Sequence, residues 1–312
     1  MRLVVALGGN ALLKRGEPMT AQAQRANIAI AVTALAALVS AGHQITITHG
    51  NGPQVGLIAL QAAAGPKDGA YPLDILGAES EGMVGYLIEQ ELRHALPDGT
   101  QFATLLTQVR VDPADPAFKH PTKPIGPVYD EAAARRLERE KGWVCARDGA
   151  AWRRVVASPA PLAIVEIEAV RLLVKAGMVV ICAGGGGIPV VPREGGGYEG
   201  VEAVIDKDRA SALLALVLEA DMLLLLTDVD GAYRQFGTPG AALIRSAGAY
   251  SLSQDVFAAG SMGPKMEAAI GFARDSGHRA GIGRLQDALA LVTGSAGTII
   301  TRGADPVVTV KI

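Results

Sequence analysis

Leu3-Val4-Val5-Ala6-Leu7-Gly8-Gly9-Asn10 and Ile45-Thr46-Ile47-Thr48-His49-Gly50-Asn51-Gly52-Pro53-Gln54 decide the reading of this chain. In each stretch a short apolar run ends in glycines and leads into a helical pattern. The runs have the length and character of buried strands. The glycines, lacking a Cβ, let a ligand approach the backbone N–H groups. A strand that passes through a glycine turn to a helix N-terminus makes a site for oxyanions. Two such turns so close together point to one anionic substrate held between them.

The alternation continues outward from these stretches. Thr20–Ala41 is expected as a helix that stops at Gly42, Gln44–Thr48 as a strand, Pro53–Ala63 and Asp74–Ala95 as helices, and Phe102–Thr107 as a strand. Beyond them come helix Val165–Ala176, strand Met178–Cys182, helix Lys207–Ala220, strand Met222–Leu226, helix Pro264–Ser276 and strand Arg279–Ile282. Nearly continuous apolar strands alternating with helices predict an α/β fold, with a mainly parallel central sheet covered on both faces. Ligands of such sheets sit beyond the carboxyl ends of the strands, where both glycine turns fall. A chain of 312 residues is near the size at which one core stops growing, so one domain over residues 1–312 is expected.

Residues 112–156 break the pattern. Pro113, Pro116, Pro121, Pro124 and Pro127 cluster there, a short charged helix follows over Asp130–Lys141, and two strand-like runs flank Asp148-Gly149. A hairpin of that kind does not belong to a continuous parallel sheet. The segment reads as a small subdomain protruding from the main body.

Composition narrows the partners. A net charge of −2 without a basic stripe argues against nucleic acid. The apolar runs Asn27–Ala41 and Ala212–Leu226 are too short and too interrupted for membrane spans, so no membrane partner is expected. Cys145 and Cys182 stand apart without ligand spacing, so neither a disulfide nor a protein-held metal is expected, and the cytoplasm is the natural compartment. Gly8-Gly9-Asn10 interrupts the opening apolar run before a signal-peptide core forms.

Lysine is scarce, nine against twenty arginines, so its settings are informative. Lys207 stands between acids in Val204-Ile205-Asp206-Lys207-Asp208, and Lys265 follows Gly260-Ser261-Met262-Gly263-Pro264 at a helix start. Lys123 lies among prolines in Pro121-Thr122-Lys123-Pro124. A cation at a helix start opposes the macrodipole unless an anion sits between them. Phosphoryl transfer needs these parts: positioned cations, N–H donors and a metal. Asp206 or Asp208 is placed to orient the lysines, and Leu226-Thr227-Asp228-Val229-Asp230-Gly231-Ala232-Tyr233 leaves acids and an aromatic ring at the sheet's carboxyl edge. No GxxxxGK[ST] run exists, and Gly184-Gly185-Gly186-Gly187 leads into Ile188-Pro189 rather than a helix, so the dinucleotide fingerprint fails.

Taken in order, Val5–Ala11, His49–Gly56, Asp115–Phe118 with Pro121–Pro127, Arg153–Pro159, Gly184–Pro189, Gly200–Asp208, Leu226–Tyr233 and Gly260–Lys265 make a chain that resembles the carbamate kinases, a branch of the amino acid kinase family. The likeness runs from residue 1 to 312. It implies a three-layer α/β/α sandwich with the small subdomain over the site, a homodimer, and reversible phosphoryl transfer from carbamoyl phosphate to ADP with Mg2+ on the nucleotide. Such enzymes usually make ATP at the end of arginine, agmatine or purine breakdown.

Residue by residue, the resemblance implies that Gly8, Gly9 and Asn10 hold the transferring phosphoryl group and the carbamate, with Gly50, Asn51 and Gly52 completing the cradle. Lys207 and Lys265 then bear on the phosphates, Asp208 organises the lysines, and Lys123 reaches down from the subdomain. Asp206, Asp228, Tyr233, Met262 and Gly263 fall to the nucleotide side. Most amino acid kinases carry a lysine two residues before the first glycine pair, where this chain has Ala6; carbamate kinases share that change. Carbamate is already an oxyanion nucleophile, so no general base is required. A kinase of another small acid or phosphonate, and a catalytically silent nucleotide sensor, are the competing readings.

Overall fold

The computed structural model describes residues 1–13, 17–64, 71–252, 257 and 262–311, with the backbone alone at residues 10, 11, 63 and 311. Among the described residues a ten-stranded sheet runs through the molecule. Phe102–Thr104, Val179–Ile181, Gln44–His49, Arg2–Leu7, Met222–Thr227 and Arg279–Arg284 lie side by side in that order, every neighbouring pair parallel. Thr298–Thr301 then joins antiparallel to Arg279–Arg284, so the sheet is mainly parallel, as its alternating sequence predicts.

The first strand shows why the apolar runs are continuous. Leu3, Val5 and Leu7 share a buried cluster with Ile28, Val32 and Leu35 of helix Ala21–Ser40 and Val84, Ile88 and Leu92 of helix Leu73–Ala95. Val4 and Ala6 point the other way, into a cluster with Leu214 of helix Lys207–Val217 and Met266, Phe272 and Ala273 of helix Met262–Ser276. Alternate residues of one strand are thus buried on opposite faces. The result is a three-layer α/β/α sandwich. Ala21–Ser40, long and apolar enough by composition to cross a membrane, spends its apolar face on this sheet.

Two expected elements stop three residues short. The strand beginning at Phe102 stops at Thr104, and Gln108–Arg110 enters a separate four-stranded sheet with Ala163–Ile164, Ile188–Pro192 and Tyr198–Gly200. Thr107 pins this crossing: its N–H donates to Glu81 Oε2 at 3.2 Å and its hydroxyl accepts from Ala183 N at 2.9 Å. The helix from Lys207 ends at Val217, before Glu219 takes a left-handed φ of 52°.

The proline-rich segment builds its own three-stranded antiparallel sheet from Lys123–Tyr129, Ala151–Val156 and Val144–Asp148. Asp130 caps the helix Glu131–Lys141 that packs on it, its Oδ1 accepting from Ala133 N at 2.7 Å. The small sheet rests on helix Gly52–Ala64 so closely that a Cβ at Gly56 would overlap the backbone of Gly126.

Candidate active site at the carboxyl edge of the sheet

The two glycine turns meet where the parallel strands end. Gly8 N donates to Leu226 O at 3.0 Å and Gly50 N to Leu7 O at 3.1 Å, so each turn continues the register of the strand before it. A Cβ at Gly50 would stand 3.2 Å from Gly9 N and Cα and 3.4 Å from Lys207 Cδ. Gly50 therefore lets the two turns touch backbone to backbone, with the Lys207 stem alongside. Gly8, Gly9, Gly50, Asn51 and Gly52 are gathered at this edge; the side chain of Asn10, and Gly260 and Ser261, lie outside the described residues.

The cations are held by two carboxylates from one helix start. Asp206 is the N-cap of helix Lys207–Val217, its Oδ1 accepting from the N–H groups of Asp208 and Arg209 at 2.9 and 3.3 Å. Its Oδ2 accepts from Lys123 Nζ at 2.5 Å, joining the small sheet to that helix. Two residues further on, Asp208 accepts from Lys207 Nζ at 2.5 Å through Oδ1 and from Lys265 Nζ at 3.1 Å through Oδ2. Lys265 is only 7% exposed and Asp208 3%. Three ammonium groups against two carboxylates leave a positive pocket beside the N–H donors.

Burial and pairing compete in this cluster. Burial raises the Asp208 pKa, but the charges of Lys207 and Lys265 override it and hold the carboxyl below its ordinary range. Asp206 is also held below its ordinary range: burial acts upward, and the Lys123 charge and hydrogen bond outweigh it. Burial pulls Lys207 down to about 8, with the Lys265 charge adding to it and Asp208 only partly compensating. For Lys265 burial also acts downward, but the Asp208 charge and hydrogen bond prevail and raise it. Of the two lysines on Asp208, Lys207 is therefore the more easily discharged.

Several positioning residues carry no local signal in the sequence. Ser211 Oγ donates to Lys207 O at 2.6 Å, which leaves Thr48 Oγ1 to donate to Ser211 Oγ, also at 2.6 Å. This chain ties the second strand to the first turn of the lysine helix. Asn51 Nδ2 donates to Ser80 Oγ at 2.8 Å, and a Cβ at Gly185 (φ +67°) would overlap the Asn51 carboxamide. Glu81, 1% exposed, accepts from Gly184 N at 2.7 Å as well as from Thr107 N. The four-glycine run is thus the wall behind Asn51. Apart from the Ser211–Lys207 bond within one helix, these partnerships join residues far apart in the chain and leave no local pattern; the unusual Ser80-Glu81 pair within an otherwise apolar helix face hints at one.

The residues expected on the nucleotide side occupy the neighbouring strand ends. Asp228 accepts from Thr227 Oγ1 at 3.1 Å. Tyr233 donates to Asp230 Oδ1 at 2.7 Å, and its ring lies 5.7 Å from that of Phe236. Met262 and Gly263 open the helix that carries Lys265. Ala6, where a lysine stands in most of the wider family, is fully buried in the same cluster as Ile205, Ala210 and Met266, beneath the two lysine helices.

Comparison with known proteins bears on this arrangement. Residues 1–283 match the amino acid kinase family. A carbamate kinase of Rhizobium meliloti is 55% identical, covering 96% of this chain and 93% of its own. One of Haemophilus influenzae is 54% identical, covering 97% of each. Carbamate kinase from Giardia lamblia bound to AMP-PNP superposes with a TM-score of 0.86 at 39% identity, covering 96% of this chain and 98% of that one. With matches of this length and identity, the chain belongs to the amino acid kinase family, in its carbamate kinase branch.

Proposed function

We propose that the chain transfers the phosphoryl group of carbamoyl phosphate to ADP, reversibly, at the pocket between its two glycine turns. One observation carries the reading: Asp208 holds the ammonium groups of Lys207 and Lys265 together beside two backbone turns that touch at Gly9 and Gly50. The difficulty of the reaction is bringing two anions into line. Fixed ammonium groups and N–H donors offset their repulsion and stabilise the charge spread over the transferring oxygens. Gly8, Gly9, Asn10, Gly50, Asn51 and Gly52 are assigned to the acyl phosphate, and Lys207 and Lys265 to the oxygens passing between donor and acceptor. Asp208 fixes both lysines.

Lys123 is assigned to the substrate as well, delivered by the small subdomain at residues 112–156. Exchange of its Asp206 partner for a phosphate oxygen would draw that sheet down and exclude water from the acyl phosphate. Asp228, Tyr233, Met262 and Gly263 are assigned to the nucleotide, and Asp206 to the approach of its phosphates through Lys123. Among the described residues no three His, Cys, Asp or Glu side chains group as metal ligands, and Asp206 and Asp208 already spend their oxygens on lysines and amides. Mg2+ accordingly belongs to this reading as the nucleotide's own counter-ion, neutralising phosphate charge. A cytoplasmic location and a homodimer complete the reading, the homodimer checked by sedimentation of the purified protein.

The direct test is ATP formation from carbamoyl phosphate and ADP with Mg2+, with Lys265→Ala beside the unaltered chain. Removing one preorganised donor costs about 10²–10³ in kcat. Turnover that the variant loses on that scale supports the reading. A folded protein that binds ATP tightly without turnover favours a sensor, and turnover only with another acyl phosphate or phosphonate favours a sister kinase.

A further inference from the structure

Gln54 is the third residue of helix Gly52–Ala64, at the pocket end of the second glycine turn. Its setting has an ordinary explanation, and the structure removes it. Asn51 and Gln54 stand in the spacing of a capping box, in which a side chain before the helix and a Gln three residues later satisfy each other's backbone N–H groups. Neither does so here. The Asn51 amide turns to Ser80 Oγ, and both Gln54 Oε1 and Nε2 are buried without a hydrogen-bond partner. Gln54 is 1% exposed.

A buried carboxamide with both ends unsatisfied carries a desolvation penalty that needs a compensating partner. Helical side chains lean back over the turn on their N-terminal side. A residue in the first turn therefore directs its end group past the helix start, here toward Gly50, Asn51 and Gly52. A carboxamide offers one acceptor and two donors in a plane. The carbamoyl group carries an amino group and a carbonyl oxygen on one carbon, and so offers the matching N–H donors and acceptor.

On the reading that carbamoyl phosphate is the substrate, the geometry points to Gln54 as the residue that reads its amide: Oε1 accepts from the carbamoyl N–H and Nε2 donates to its carbonyl oxygen. The discrimination follows from what an acetyl group lacks. Acetyl phosphate has the same shape but a methyl in place of the amino group, so it would leave Gln54 Oε1 buried and unpaired. Unpaired buried groups cost about 1–3 kcal/mol, which is about 5- to 150-fold in kcat/KM.

The test compares kcat/KM for carbamoyl phosphate and acetyl phosphate, with ADP and Mg2+, in the unaltered chain and in Gln54→Met and Gln54→Leu. Both variants are close in volume, and a melting curve reports their folding. The expected result is a 5- to 150-fold loss on carbamoyl phosphate with acetyl phosphate unchanged or improved, so that the preference collapses, the range being about what one unpaired buried group costs. Equal losses on both substrates, or an undiminished preference in either folded variant, overturn the assignment and leave Gln54 a packing or water-binding residue. Failure of the unaltered chain to use carbamoyl phosphate would instead overturn the underlying reading, so the two failures are distinguishable. Should both variants fail to fold, Gln54→Glu supplies a second comparison: it keeps the acceptor for the carbamoyl N–H and loses the donor to the carbonyl oxygen that both substrates carry, so kcat/KM should fall on both with the preference retained, and an unchanged kcat/KM on both counts against the assignment.

Discussion

Lys207 and Lys265 share one carboxylate yet respond to it differently, because burial pulls Lys207 down to about 8 while Asp208 raises Lys265. The sign for Lys207 is direct. Its pKa is lowered to about 8, so the ammonium is lost as pH rises through that value. A cation needed on the phosphates then disappears, and kcat/KM for ADP should fall on the alkaline side with an apparent pKa near 8. Lys207→Arg, which stays charged, should move that limb upward even if its maximum rate is lower. A profile flat to about pH 10 in the unaltered chain, near the ordinary lysine value, would remove Lys207 from the transfer. Burial also separates what a sequence shows from what it hides at this scale. That lysines between acids or beside glycines are unusual is legible from residue types alone. Which lysine shares which acid is not, because Asp208 and Lys265 meet only when two helices pack on one face of the sheet.

At the scale of elements, the helix Lys207–Val217 is fixed at its start by two devices. One is the Asp206 cap with its link to Lys123; the other is the Thr48–Ser211–Lys207 chain. Asn caps a helix as well as Asp does. Asp206→Asn should therefore keep the helix while weakening the ion pair, by about 1 kcal/mol for a partly exposed lysine. Limited proteolysis should cut residues 112–156 about fivefold faster in that variant, the rate equivalent of that energy, and an unchanged rate would deny the pair a role in holding the small sheet. Ser211→Ala leaves the Thr48 hydroxyl buried without its acceptor and should cost about 1–3 kcal/mol. Adding Thr48→Val should recover part of that loss, since removing both partners is cheaper than removing one. Denaturant titration of the four proteins reads the coupling. The elements themselves were largely legible, since buried parallel strands need uninterrupted apolar runs. The strand at Phe102 was read too long because Leu105 and Leu106 continue the apolar run, whereas Thr107 is bound by Glu81 and Ala183 and turns the chain into the second sheet.

Across the whole molecule, Glu81 and His49 are buried titratable groups with opposite effects on stability. Burial raises Glu81 from 4.5 to about 8, its hydrogen bonds from Thr107 and Gly184 offsetting only part of this. Its contribution is complete below pH 4.5 and is lost as pH rises toward 8. Burial lowers His49 from 6.5 to about 4, the bond to Gly50 O opposing it, so its contribution grows from pH 4 to 6.5. The two offset one another in the acid range, and pH 6.5 to 8 belongs to Glu81. Stability should decline there by at most about 2 kcal/mol. Glu81→Gln should flatten that decline in melting curves taken across the window; an unaltered slope would mean that Glu81 does not titrate there.

The sequence by itself determined the α/β class, the alternation of strands and helices, the proline-rich interruption, and the places where glycines open the backbone to an anion. These follow from local physics: apolar run length, turn chemistry, and the absence of a Cβ. Tertiary structure alone decided that Gly50 seats on Gly9, that Lys123 reaches Asp206, that Ser80 takes the Asn51 amide, and that Gln54 is buried without a partner. Each of those depends on where distant segments are placed by the packing of both sheet faces, and no local pattern records that distance.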